Sequence, residues 1–304
     1  MTSNRAACIF VFLALLSGQA LPEPPERVAA GQRRMPGSLD FRLYQDYLIV
    51  VEGNLGGLGN QNLLLDTGTD STILDKRIAR KLQLKLGPAR VDAIGHDVDG
   101  GRGVLATCQV GPITCRNYNV LVQDLSFLER GLGAPIDAII GLDILSSVSF
   151  TVDYRRKRIL FGVPESLENG VAFESGPPLV TVIMTLNGRP TRLLVDTGAS
   201  SLMLFKKRWL EEHERSESES ESKETFFPRP KEVERLSSDL GGELMRQMTG
   251  LKSAALGGVE LGRQTAFLVE HHGAGSFAGL LSPTAIGLKE LYFDFEHKQL
   301  GWSR

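Results

Sequence analysis

Cysteine and tryptophan are scarce in this chain, and neither sign of charge prevails. Three cysteines in 304 residues cannot staple a disulfide-dense scaffold. Together with five histidines they show none of the spacings of a zinc site. The 34 basic and 36 acidic residues leave a formal net charge of −2, so no overall field draws the chain to nucleic acid or to an anionic membrane. A P-loop and a dinucleotide-type glycine loop are both missing. These absences lead us to expect no metal, no organic cofactor and no nucleic-acid partner. What is present is a 42% hydrophobic composition, ample for a core that needs no metal or disulfide support.

Long apolar runs are missing as well. The longest, Ala6 to Leu16, is short of the ~18 residues of a membrane span. It follows Arg5 and precedes Ser17-Gly18-Gln19-Ala20, which places small residues at a cleavage site. Residues 1–20 therefore read as a secretory signal peptide, giving an exported protein, periplasmic or extracellular, with no stable membrane association. An uncleaved N-terminal anchor is the alternative. Residues 21–40, with Pro22, Pro24, Pro25 and Pro36, read as a linker, a short pro-segment or a first strand.

The remainder says the same thing twice. Asn62 to Leu74 (NLLLDTGTDSTIL) matches Arg192 to Leu204 (RLLVDTGASSLML). Gly103 to Val122 lies over Gly250 to Val269, Ala138 to Leu145 over Gly279 to Ile286, and Phe150 to Phe161 over Leu291 to Trp302. Short strands punctuated by Gly, Asn and Pro are expected in each copy, with Leu48–Glu52 and Val180–Thr185 leading to the Asp-Thr-Gly turns. Lys76 to Leu84 is expected to be helical, with Phe205 to Glu214 as its counterpart. Copy one spans 41–162, a loop-rich linker 163–178, and copy two 179–304. Within copy two, residues 211–231 alternate Ser and Glu and cannot bury enough apolar surface to fold, which marks a flexible insertion. A two-residue turn at Gly111-Pro112 would set Cys108 opposite Cys115, as a disulfide or as two half-buried thiols.

A carboxylate on a tight turn gains chemistry when a second one faces it. Two adjacent carboxyls cannot both ionise cheaply, so one keeps a proton and the pair holds an acid and a base together. Asp66 and Asp196 are the candidate pair, and the shared proton belongs to both. Gly68 and Gly198 permit the sharp turn. Thr67 and Thr197 are placed to bond across to the opposite loop. Thr69 can donate to the outer oxygen of Asp66, whereas Ala199 at the equivalent place cannot.

On Asp66-Thr67-Gly68-Thr69, Asp196-Thr197-Gly198-Ala199 and Ile139-Ile140-Gly141, the chain from about residue 41 onward resembles the pepsin/retropepsin clan of aspartic peptidases. It is closest in feel to bacterial single chains with two retropepsin-like lobes. The resemblance implies an all-β, bilobal pepsin-like fold of two homologous β-barrel-like lobes. It also implies an active-site cleft, a flap over the cleft, and Gly141 behind the first catalytic turn. The implied activity is that of a monomeric endopeptidase on peptide or protein substrates, using a water activated between Asp66 and Asp196. Two departures stand out. Ser282 replaces the expected second glycine, and the flap stretch Val91 to Ala106 has no tyrosine. They keep open a second reading, a catalytically inactive peptide-binding protein on the same fold.

Overall fold

A computed structural model describes residues 37–93, 96–162, 168–175, 179–209, 233–237, 243–270 and 276–304. The expected signal peptide, the insertion at 211–231 and most of the two linkers lie outside the described residues.

The fold is all-β. Its organising hairpin in the first half is Leu48–Leu55 with Leu58–Leu65. Leu48, Ile49, Val50 and Val51 are all buried, as are Leu63, Leu64 and Leu65. Successive strand residues point to opposite faces, so an unbroken apolar run must be covered on both. Here it is. Ile49, Val51, Leu63 and Leu65 face the large core, while Leu48, Val50 and Leu64 face a second one with Ile73 and Ile139. Beside the hairpin, Ala138–Ile140 runs parallel to Leu63–Leu65 and antiparallel to Ile73–Leu74. Ile73–Asp75 then pairs in parallel with Leu121–Gln123. The result is an eight-stranded sheet made wholly from residues 42–140.

The second half repeats this arrangement. Val180–Leu186 and Arg189–Val195 form the hairpin. Leu280–Leu281 runs parallel to Leu194–Val195, and Leu202–Phe205 pairs in parallel with Ala266–Val269. Leu194, Met203 and Leu280 make the small core, and Leu193, Val195, Leu202 and Leu204 turn to the large one. The internal repeat in the sequence is thus a repeat of topology.

A six-stranded sheet takes strands from both halves. Its order is Gly37–Asp40, Arg158–Phe161, Phe150–Asp153, Glu290–Asp294, Gln299–Ser303, Asn169–Ala172. The central pairing joins the two copies, with Phe150 stacked on Phe293 at a centroid distance of 4.9 Å. Asp153 and Asp294 close equivalent turns, accepting from the backbone N–H of Arg156 at 2.8 Å and of His297 at 3.0 Å. Their role is structural.

Several expectations need correcting. Of the three readings of residues 21–40, the strand holds for 37–40, which form an edge of that six-stranded sheet. Asn169–Ala172 and Glu174–Ser175, read as loop, pair with Gln299–Trp302 and with Val180–Thr181. The first helix is Lys76–Lys81, shorter than expected, because Asp75 caps its start and Gln83 turns left-handed at φ 53°. Of its counterpart, residues 206–209 are helical and the rest lies outside the described residues. Cys108 and Cys115 do stand directly opposite each other across the Gly111-Pro112 turn, and both are free thiols.

Ser282 proves compatible with the crossing it seemed to threaten. In the first half a Cβ on Gly141 would stand 3.0 Å from the Ser71 carbonyl. In the second half Ser282 is fully buried, and the tight approach has moved upstream: a Cβ on Gly279 would lie 2.0 Å from the Met203 carbonyl oxygen. Ala138 occupies the equivalent place in the first half and is tolerated there. Gly279→Val should therefore destabilise the fold by about 3 kcal/mol or more. Gly250→Ala, where a Cβ meets nothing within 4 Å, should be nearly neutral in the same thermal-unfolding measurement.

Candidate active site

Each organising hairpin ends at an aspartate. Leu65 and Val195 are the last strand residues, and the chain then turns at Asp66 and Asp196. The crossing strands hold both turns in the same way: Asp66 N–H donates to the Ile140 carbonyl and Asp196 N–H to the Leu281 carbonyl, each at 3.0 Å. Both carboxylates have no solvent exposure. In each, Oδ1 accepts the N–H of the glycine two residues on, Gly68 or Gly198, at 2.7 Å.

The two turns are bolted to each other. Thr67 N–H donates to Thr197 Oγ1 and Thr197 N–H to Thr67 Oγ1, both at 3.1 Å. The hydroxyls continue across: Thr67 Oγ1 donates to the Val195 carbonyl at 2.8 Å, and Thr197 Oγ1 to the Leu65 carbonyl at 3.3 Å. These four bonds join segments some 130 residues apart and leave no polar group of the two threonine side chains unpaired. The glycines make the approach possible. A Cβ on Gly68 would sit 2.4 Å from Cγ of Asp196, and one on Gly198 would sit 2.7 Å from Oδ2 of Asp66. Any side chain at either position would collide with the opposite carboxyl.

That proximity sets the electrostatics. Burial pushes Asp66 up to about 6, against the lowering pull of the Gly68 N–H. Asp196 is raised well above the usual carboxylate range by burial and then by the negative charge of Asp66. The pair thus holds a proton to higher pH than separate carboxyls would. Oδ2 of Asp66 and Oδ2 of Asp196 are buried without a hydrogen-bond partner among the described residues. A buried carboxylate oxygen without a donor is costly, so these two atoms are where a bound molecule would be stabilised.

The structure brings together Asp66, Asp196, Thr67, Thr197, Gly68 and Gly198 as read from the sequence. Gly141 lies behind the first turn, against Ser71. Thr69 is buried beside the dyad but does otherwise than expected. Its hydroxyl donates to the Ser71 carbonyl at 3.1 Å and leaves Oδ2 of Asp66 alone, because the turn closes on itself there. Asp70 accepts from the Ser71 hydroxyl at 2.8 Å, in keeping with a turn residue. The hairpin read as a flap is Gly87–Ala93 with His96–Arg102, so it starts earlier than Val91. Gly100, Gly101 and Gly103 lie on its return strand, where Gly101 and Gly103 pair with Val122 and Val120. The side chain of His96 lies outside the described residues. Among those residues, no group of three or more His, Cys, Asp or Glu side chains is arranged to hold a metal ion.

Sequence reasoning missed Asp143 and Thr72. Thr72 N–H and Thr72 Oγ1 both donate to the Asp143 carboxylate at 2.8 Å. The available signal was a mismatch in the repeat, since Leu202 and Thr284 stand at the corresponding places.

The raised carboxyls have a consequence for stability. Asp66 and Asp143 move up to about 6 from 3.8, and Asp196 and Asp137 also move up. The folded protein therefore binds more protons than the unfolded chain between about pH 4 and 7, and stability rises as pH falls through that window. His297, raised by its bond to Asp294, acts in the same direction. The lowered groups, Asp124 and Asp294, act only at still lower pH. We expect Tm to rise by about 5 °C between pH 7.5 and pH 5. Asp196→Asn should flatten that slope and raise Tm at pH 7.5, which differential scanning calorimetry will show.

No curated protein is similar enough to the chain to match it. The segment 51–144, which carries Asp66, its crossing strand and Gly141, does match a family model described as aspartyl protease. The second turn lies outside that match and is tied to it by the internal repeat and the threonine bonds. The matched segment thus holds the first aspartate turn and its supports, and over that segment the chain is similar to aspartyl proteases.

Proposed function

We propose that the chain is an aspartic endopeptidase in which Asp66 and Asp196 are the catalytic residues. The observation that carries this reading is the pair of buried Oδ2 atoms, without a hydrogen-bond partner among the described residues, on two carboxyls locked together by Thr67 and Thr197. A water held between the carboxyls would give a proton to the ionised one and attack the scissile carbonyl. The protonated one would donate to that carbonyl oxygen, giving a neutral tetrahedral diol. The newly protonated carboxyl would then pass its proton to the amide nitrogen as the C–N bond breaks, while the other takes a proton from a diol hydroxyl, leaving the pair singly protonated again. Thr67, Thr197, Gly68 and Gly198 hold the geometry, and Gly141 supports the first turn from behind.

The reading extends to the surroundings. Each half would form one lobe, with the substrate cleft between them and the hairpin at 87–102 folding over it. A peptide would lie extended across that cleft and pair with exposed backbone, as an added strand does. The glycine-rich return strand of the hairpin suits a segment that must move to admit it. The mature protein would be exported and would act as a monomer, since one chain supplies both aspartates.

The test is cleavage of a mixed peptide library between about pH 3 and pH 8, with and without a transition-state-mimicking inhibitor of aspartic peptidases. Inhibitor-sensitive cleavage is expected. Folded protein that cleaves nothing at any pH would rule the reading out. Asp66→Asn and Asp196→Asn should each lower kcat by about a thousandfold or more while the fold is retained. Activity surviving in either variant would refute the dyad.

A further inference from the structure

The two aspartate turns differ in one respect that the repeat does not predict. Beyond the first, at Thr72, the chain is held by a carboxylate. Asp143 Oδ2 accepts Thr72 N–H at 2.8 Å, and Oδ1 accepts Thr72 Oγ1 at 2.8 Å and Ile144 N–H at 3.0 Å. The phenol of Tyr118 is a further hydrogen-bond partner. Thr72 Oγ1 in turn accepts Gly141 N–H at 3.3 Å, and Leu142 N–H donates to the Thr69 carbonyl at 2.9 Å. The chain from 66 to 72 is thereby fastened to the chain from 140 to 144 at both of its ends: at Asp66 through Ile140, and at Thr72 through Asp143.

In the second half, Leu202 replaces Thr72 and Thr284 replaces Asp143. Leu202 is buried in the large core, and the nearest polar counterpart is a 3.5 Å contact between the Ser282 and Thr284 hydroxyls. The second turn is supported by apolar packing where the first is supported by charge-assisted bonds, which are the stronger and more directional kind.

Thr72, Ile144 and Tyr118 all meet the Asp143 carboxylate as neutral donors. The titratable groups its charge reaches are Tyr118 and Cys115 on the strand Ile113–Gln123 and Cys108 on the strand His96–Val110. Burial foremost, with that charge as a lesser cause, pushes the thiols of Cys108 and Cys115 up to about 12 and about 11 and the phenol higher still. All three therefore face it uncharged near neutral pH. Burial also pushes Asp143 itself up to about 6.

We propose that Asp143 is a positioning residue for Asp66, holding the first aspartate turn rigid by clamping Thr72 against the strand that crosses behind it. The role in catalysis rests on the peptidase reading above; the clamp itself does not. Asp143→Asn is the informative variant. An amide accepts at one atom only and turns its NH2 toward the N–H of Thr72 or of Ile144, so the set of donors is no longer satisfied.

Two measurements on the full chain decide it. In amide hydrogen exchange near pH 7, Asp143→Asn should exchange about tenfold faster than wild type over 66–72 and at Gly141, with 196–202 unchanged. Equal exchange over 66–72 would overturn the proposal. In peptide cleavage, kcat should fall about tenfold near pH 7 with KM within about threefold. The deficit should shrink below about pH 5, where the wild-type carboxyl is protonated too. A deficit of the same size at every pH, or none at pH 7, would equally overturn it. Should Asp143→Asn fail to fold, Thr72→Val must reproduce these effects and Thr72→Ser must restore wild-type values. Wild-type protein that cleaves nothing but shows the exchange difference would refute the peptidase reading and leave the clamp standing.

Discussion

Two carboxyl groups that share a buried site repel each other once both are ionised, and the surroundings of Asp66 and Asp196 are shaped by that repulsion. Left alone, the turns would drift apart or admit enough water to screen the charges. The reciprocal bonds between Thr67 and Thr197 prevent the first, and the absence of solvent exposure prevents the second. What remains is to keep a proton on the pair, which burial and mutual charge both favour. A site of this kind trades stability at neutral pH for chemical readiness.

The sheets explain how so small a target is hit from two directions. Each aspartate ends a strand whose residues are gripped on both faces, by the large core on one side and a smaller core on the other. Close-packed interiors do not deform smoothly, so the ends of such strands are well placed in space. The six-stranded sheet then fixes one half against the other through the pairing of Phe150–Asp153 with Glu290–Asp294. Turn, strand and shared sheet form a chain of constraints leading to the same few atoms.

Much of this was legible in the residues because a duplicated pattern reports itself. The two Asp-Thr-Gly turns, the hydrophobic crossing strands and the role of the threonines follow from comparing the copies. What was hidden is what breaks the symmetry or acts through distance. Gly279 reads as an ordinary strand glycine until the Met203 carbonyl is seen 2.0 Å from where its Cβ would be. Asp143 draws no notice in the sequence until Thr72 is found turned toward it. Thr69 reads as a donor to the outer oxygen of Asp66, whereas a hydroxyl takes whichever acceptor the local turn offers, here Ser71. Residues 169–172 looked like linker because a short edge strand needs little hydrophobic patterning.

The six-stranded sheet also orders events in time. Phe150–Asp153 and Asn169–Ala172 wait for partners at Glu290–Asp294 and Gln299–Ser303, which leave the ribosome long after them. The first aspartate turn meanwhile lacks Thr197, and with it the opposite carboxyl. A nascent chain can therefore assemble much of its first sheet, yet the opposite carboxyl and the Leu281 carbonyl that holds its turn come only later in synthesis. The meeting of the two carboxyls is thus a late event in the making of the chain, one that follows the first sheet.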